Sequence, residues 1–303
     1  MELTTRLADG LIIANPVMNA SGTFAYGEEF SGFFDLSVLG AVVTKGLSMQ
    51  PKRGNPLPRI VETPCGMINS IGLENVGIHA FTREKLPFLR GYGVPVIVNF
   101  FGSNEEEYVQ AARALDIEGV AALEMNVSCP NVKRGGIEFG KDPEGLNLLV
   151  TRVRQACSKP LIVKLSPMVT DICANAQAAV EAGADALTCI NTIPAMAIDE
   201  ETMRPVLGNV TGGLSGPAIK PVALKIVWEV SRRVSVPVIA AGGIASASDA
   251  VQFMLAGASA VQVGSASLRD PFCFPVVIEG IRAYLERKGI TAVKDLVGSI
   301  REG

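Results

Sequence analysis

Eight short runs of aliphatic and β-branched residues recur along the 303-residue chain, at 11–18, 41–46, 94–100, 121–127, 161–166, 186–191, 237–241 and 260–264. Runs such as Val94-Pro95-Val96-Ile97-Val98 and Leu161-Ile162-Val163 are apolar throughout rather than alternating. Such runs suit strands buried on both faces. Between them, helical periodicity predicts helices over Glu105–Leu115, Leu146–Ala156, Ala174–Ala182 and Ala218–Val234. Strand followed by helix, repeated, implies parallel strands with crossover helices. Eight such units predict an α/β fold of the (β/α)8 TIM-barrel type, spanning residues 1–303 as one domain. An open doubly wound sheet is the runner-up, disfavoured because no Gly-x-Gly-x-x-Gly follows an early strand.

Composition narrows the function classes. Apolar residues make up 48% of the chain, enough for a large core. Lys and Arg total 27 against 30 Asp and Glu, without a basic patch, so nucleic acid is not an expected partner. Residues 250–268 carry no charge, but Gln252, Gln262 and several serines make them costly to bury in lipid. A helix, a glycine turn and a strand are expected there instead. The chain opens Met1-Glu2-Leu3 with no charged-then-apolar leader, so no signal peptide and a cytoplasmic location are expected. The six cysteines are scattered, with no Cys-x-x-Cys pair and no cluster for iron and sulfur. His79, the only histidine, lies in a helical run and reads as structural. The apolar stretch Phe272 to Leu285 reads equally as core or as interface.

Polar residues gather where the strand runs stop. Thr44-Lys45-Gly46, Asn99, Glu124-Met125-Asn126, Lys164-Leu165-Ser166 and Asn191-Thr192 each end a run. A lone lysine at such a place is usually a solvated charge, and a lone asparagine a turn residue. In a parallel barrel, however, all these ends lie on one face, where two lysines, three asparagines and Cys129 would converge on one pocket. The proline- and glycine-rich stretches 50–75 and 192–216 read as active-site loop insertions at the carboxyl-terminal face. Gly242-Gly243 and Gly264-Ser265 close the last two runs, each shortly before a helix. Glycines there let backbone N–H groups approach a phosphate. Cys129, in Asn126-Val127-Ser128-Cys129-Pro130-Asn131, opens a polar stretch that suits a lid, and a thiol can serve as a general base once ionised.

The ordered set resembles the class 1 dihydroorotate dehydrogenases over nearly the whole chain. It comprises Asn19-Ala20-Ser21-Gly22-Thr23, Thr44-Lys45-Gly46, Gly54-Asn55-Pro56, Asn69-Ser70-Ile71-Gly72-Leu73, Asn126 to Asn131, Lys164, Asn191-Thr192 and the two glycine pairs. Glu62-Thr63-Pro64 and the stretch from Arg204 to Pro217 resemble the NAD-linked class 1B rather than the fumarate-linked class 1A. The resemblance implies oxidation of dihydroorotate to orotate in pyrimidine biosynthesis. Cys129 would remove the C5 proton, and hydride would pass from C6 to N5 of FMN. Lys45 would touch both flavin and substrate, and Lys164 would lie near the flavin N1 and C2 carbonyl. The pyrimidine would be held by Asn69, Asn126, Asn131 and Asn191, with Ser70, Ile71, Gly72, Leu73 and Thr192 beside it. Further FMN contacts would come from Ser21, Gly46, Asn99, Asn126, Ile190, Gly216, Gly242, Gly243, Gly264 and Ser265. No metal ligand is implied. The resemblance further implies a partner electron-transfer subunit carrying FAD and a [2Fe–2S] cluster, in a heterotetramer of two copies of each chain. One departure is Ala195, where the family often has glycine; it puts the shape of the substrate loop in doubt.

Three rival readings remain open on sequence alone. A Schiff-base lyase would use Lys45 or Lys164. An enzyme of the inosine monophosphate dehydrogenase type would use Cys129 as a covalent nucleophile. A non-catalytic flavin-binding or scaffold barrel would use none of these residues chemically.

Overall fold

A computed structural model describes residues 1–127 and 140–301, together with the backbone of 133–134 and 137–138, which pair antiparallel. Eight parallel strands form the frame: β1 (Val17–Asn19), β2 (Val42–Val43), β3 (Val96–Phe100), β4 (Ala122–Asn126), β5 (Leu161–Lys164), β6 (Ala186–Cys189), β7 (Val238–Ala241) and β8 (Ala258–Val263). From β2 to β8 each strand pairs with the next in sequence, and β8 pairs with β1. The remaining seam, β1 to β2, has only a single bridge, between Met18 and Ala41. There a side chain replaces the ladder: Asn19 Nδ2 donates to Val43 O at 2.6 Å and Val43 N donates to Asn19 Oδ1 at 2.9 Å. The sheet therefore closes into the expected barrel.

Alternation along the strands explains why both faces are apolar. Val17, Val42, Val98, Leu123, Val163, Leu187, Val238 and Val261 point outward into the helix layer, where they join one large buried cluster. Met18, Val43, Ile97, Ala122, Ile162, Ala186, Ile239 and Ala260 point inward and form a second cluster inside the barrel. Leu7, Leu11 and Ile13 join that inner cluster from a hairpin, Thr5–Ala8 paired with Leu11–Ile13, which plugs the amino-terminal end. The run predicted over 11–18 is thus two strands. Pro16 lacks an N–H, and Asn15 bends the chain by accepting from Val17 N and donating to Val38 O.

The predicted helices appear at Glu105–Leu115, Pro143–Arg154, Ile172–Glu181 and Lys220–Ser231, with Ala247–Leu255 and Cys273–Lys288 completing the outer layer. Their starts follow capping chemistry: Asn104, Asp142, Asp171 and Ser246 each accept a hydrogen bond from an N–H of the first turn. The start of the fourth helix falls later than the periodicity suggests, because Pro217–Ile219 forms a 3-10 turn first. The uncharged stretch 250–268 is helix, turn and strand as expected, and no helix among the described residues is long and apolar enough to cross a membrane. One face of the last helix belongs to the core. Phe274, Val277, Ile281 and Leu285 are buried, whereas Phe272 and Val276 are exposed. His79 stands exposed on the helical stretch after β2.

Candidate active site

The two long insertions come together over the carboxyl-terminal face. Ile60–Thr63 and Gly66–Asn69 from the first pair with Thr211–Ser215 and Ile193–Met196 from the second, giving a four-stranded antiparallel sheet. Ala195 sits in a regular ladder opposite Gly212, so the residue that departs from the family pattern does not distort this strand. Between this sheet and the strand ends lies a cavity of about 770 Å³.

Every sequence-predicted site residue that the structure describes lines this cavity. From the strand ends come Lys45 and Gly46 after β2, Asn99 on β3, Asn126 on β4, Lys164 on β5, and Ile190, Asn191 and Thr192 after β6. Ser21 enters from the loop after β1, while Asn69, Ser70, Ile71, Gly72 and Leu73 descend from the insertion. Gly216, Gly242 and Gly243 form one wall, and Gly264 and Ser265 the adjoining one. Cys129 and Asn131 lie outside the described residues. Among the described cysteines none lines the cavity. Cys189, at the end of β6, is fully buried, which pushes its thiol up to about 12.

Local contacts fix several of these groups. Asn191 Nδ2 donates to Asn126 Oδ1 at 3.2 Å, and Thr192 N donates to Asn191 Oδ1 at 2.8 Å. Tyr108 Oη donates to Asn126 O, tying β4 to the helix behind it. Asn69 Nδ2 donates to Gly213 O at 3.3 Å, across the overhanging sheet. Lys45 Nζ is 3.5 Å from Glu74 Oε2, which also binds Arg59 at 3.0 Å. Gly243 has φ +77°, and a Cβ there would stand 2.6 Å from Lys220 Cβ, so this wall requires glycine. A Cβ on Gly46 would stand 2.8 Å from Asn99 Oδ1, so this glycine makes room for the amide.

The charge of the lining is one-sided. Lys45, Lys52, Lys141 and Lys164 contribute to it, with no Asp or Glu among the described lining residues. A concave surface of one sign focuses its field and concentrates the opposite charge. Sequence reading missed the layer below. Glu124 and Thr188 are buried beneath the cavity floor, in a hydrogen-bonded set with Asn99, Lys164 and Gln262, which line it. A period-2 count from Asn126 would have turned Glu124 inward, and a glutamine between Val261 and Val263 is an equally visible signal.

A family model described as dihydroorotate dehydrogenase matches residues 3–285. A protein from Trichlorobacter lovleyi is 60% identical over 291 residues, covering 96% of each chain. One from Geotalea daltonii is 59% identical over 293 residues, again covering 96% of each. One from Thermodesulfovibrio yellowstonii is 55% identical over 293 residues, covering 96% of this chain and 97% of its own. All three are named dihydroorotate dehydrogenase B (NAD(+)), catalytic subunit. With the amides, lysines and glycines of that resemblance gathered on one cavity and the likeness running the length of the barrel, the chain belongs to the dihydroorotate dehydrogenase family.

Proposed function

We propose that this chain oxidises dihydroorotate to orotate in pyrimidine biosynthesis, as the FMN-binding catalytic subunit of an NAD-linked enzyme. The observation that carries this reading is the cavity's lining, four lysines with amides from three strand ends and no carboxylate among the described residues. Dihydroorotate carries one carboxylate and a ring whose imide groups both donate and accept, and asparagine amides match that pattern. FMN brings a phosphate and a broad ring. The glycine walls leave backbone exposed for the phosphate, and Asn99 Oδ1 is a buried acceptor with no partner among the described residues, which a ring N–H can meet.

In this reading Asn69, Asn126 and Asn191 hold the pyrimidine, together with Asn131. Lys45 spans substrate and flavin, and Lys164 supplies positive charge where reduction adds negative charge. Ser21, Gly46, Asn99, Ile190 and the glycine walls hold FMN, which when bound accepts the hydride from C6. Cys129 takes the C5 proton as a thiolate, with an unperturbed pKa of about 8.5 setting the direction of the pH dependence. The electrons leave through a partner subunit with FAD and a [2Fe–2S] cluster, in a cytoplasmic heterotetramer of two copies of each. The word "subunit" in the relatives' names supports such a partner.

The test is anaerobic mixing of the purified, FMN-loaded chain with dihydroorotate. The expected result is bleaching of the flavin, slowed in Cys129→Ser at neutral pH because a hydroxyl is the weaker acid. A yellow protein that does not bleach would remove the substrate assignment. A colourless protein that takes up no FMN would favour the Schiff-base barrel. Reoxidation by fumarate without a partner would replace the NAD-linked reading with the class 1A one.

A further inference from the structure

Glu124 is a carboxylate with no exposure to solvent, placed one layer below the cavity. Four side chains from four other strands converge on it. Asn99 Nδ2 on β3 donates to Oε1 at 2.7 Å, Thr188 Oγ1 on β6 donates to Oε2 at 2.8 Å, and Gln262 Nε2 on β8 donates to Oε2 at 2.6 Å. Lys164 Nζ on β5 is 3.8 Å from Oε1 and donates to Gln262 Oε1 at 3.3 Å. Asn99, Lys164 and Gln262 all line the cavity, whereas Glu124 and Thr188 do not. A buried charge is costly to maintain unless it is paired and fully bonded. The barrel would fold more simply on an apolar residue at this position, as it does two residues earlier at Ala122.

We propose that Glu124 is a positioning residue and a fixed counter-charge for the cofactor site. It orients Asn99 and Lys164 toward the cavity and holds down the reduction potential of the flavin bound above them. The inference rests on FMN occupying the cavity. Reduction adds negative charge to the flavin, so a fixed negative charge below it opposes reduction, directly and by offsetting Lys164. At this depth the interaction is weakly screened. One cation and one anion in the same buried set let the floor bind an electron-rich ring without making it too strong an electron sink for the next carrier.

The test is the midpoint potential of FMN-loaded protein, measured by equilibration with a reference dye. Glu124→Gln keeps the shape and removes the charge. Its reduced-to-oxidised ratio at fixed dye potential should rise about tenfold, equivalent to about 30 mV for a two-electron couple. Glu124→Asp keeps the charge and should stay near wild type. If Glu124 were only a packing and hydrogen-bonding residue, Asp would disturb the potential as much as Gln. An unchanged or lowered potential in FMN-loaded Glu124→Gln would overturn the proposal. Should Glu124→Gln fail to fold, Lys164→Gln and the double variant replace the comparison: the double must have the higher potential, and equality would overturn the proposal. A wild-type protein that binds no FMN would instead overturn the underlying reading of the cofactor.

Discussion

Substituting Asn19 by alanine should open the barrel at its weakest seam. Val42 N donates to Pro95 O, just before β3, and Thr44 N to Ile97 O within it, so the N–H and C=O of Val43 face β1 and find their partners in the Asn19 amide. Asn19 is fully buried, so alanine leaves two backbone groups unpaired away from water. Each such group costs about 1–3 kcal/mol, giving about 4 kcal/mol for the pair. With an unfolding entropy of about 2.1 cal/mol/K per residue, a chain of 303 residues loses about 1.6 °C of Tm per kcal/mol. The expected fall is therefore about 6 °C by scanning calorimetry. Hydrogen exchange at Val43 should accelerate well beyond that of Thr44, whose bond to Ile97 O survives. An unchanged melting temperature, or equal acceleration at both amides, would refute the idea that one side chain closes this seam.

Three further outcomes follow from the site and the core. Lys164→Met leaves the Glu124 carboxylate buried without its cation and should cost about 3–5 kcal/mol in chemical denaturation, most of it recovered by adding Glu124→Gln. Gly243→Ala must adopt φ +77° against Lys220 Cβ and Gly216 O. It should lower stability by about 2–4 kcal/mol and lose FMN on gel filtration, whereas retention of FMN at wild-type stability would count against the glycine wall. Burial raises the Cys189 thiol to about 12, so the folded protein keeps a proton that the unfolded chain loses near pH 8.5. Stability from this group is intact below that pH and falls as pH rises toward 12; a urea midpoint that drops above pH 9 in wild type but less in Cys189→Ala would match this sign.

The strand rhythm made the barrel legible because strands buried on both faces need apolar residues at every position, as in Val96-Ile97-Val98. Boundaries were less legible. A proline within an apolar run, Pro16, marks a break that hydrophobicity does not register, and the seam bonds of Asn19 depend on a partner 24 residues away. The cavity was legible through its rim, since Lys45, Asn99, Asn126, Lys164 and Asn191 stand where the chain changes from apolar to polar. Its floor was not, because Glu124 and Gln262 are polar residues inside strands, and only the closed barrel turns them toward one another. The overhanging sheet was hidden for the same reason: its strands pair across more than a hundred residues, as Asn69 does with Gly213.

The bottom of the barrel has a use in handling the protein. Glu2 N donates to Thr291 O and Val293 N donates to Glu2 O, so the first residues and the segment after the last helix run side by side. Both lie near the plugging hairpin, on the face opposite the cavity mouth, since the last helix runs back from the carboxyl ends of the strands. Anchoring the protein to an electrode or sensor chip through this face would therefore present the mouth outward, toward whatever delivers or withdraws electrons.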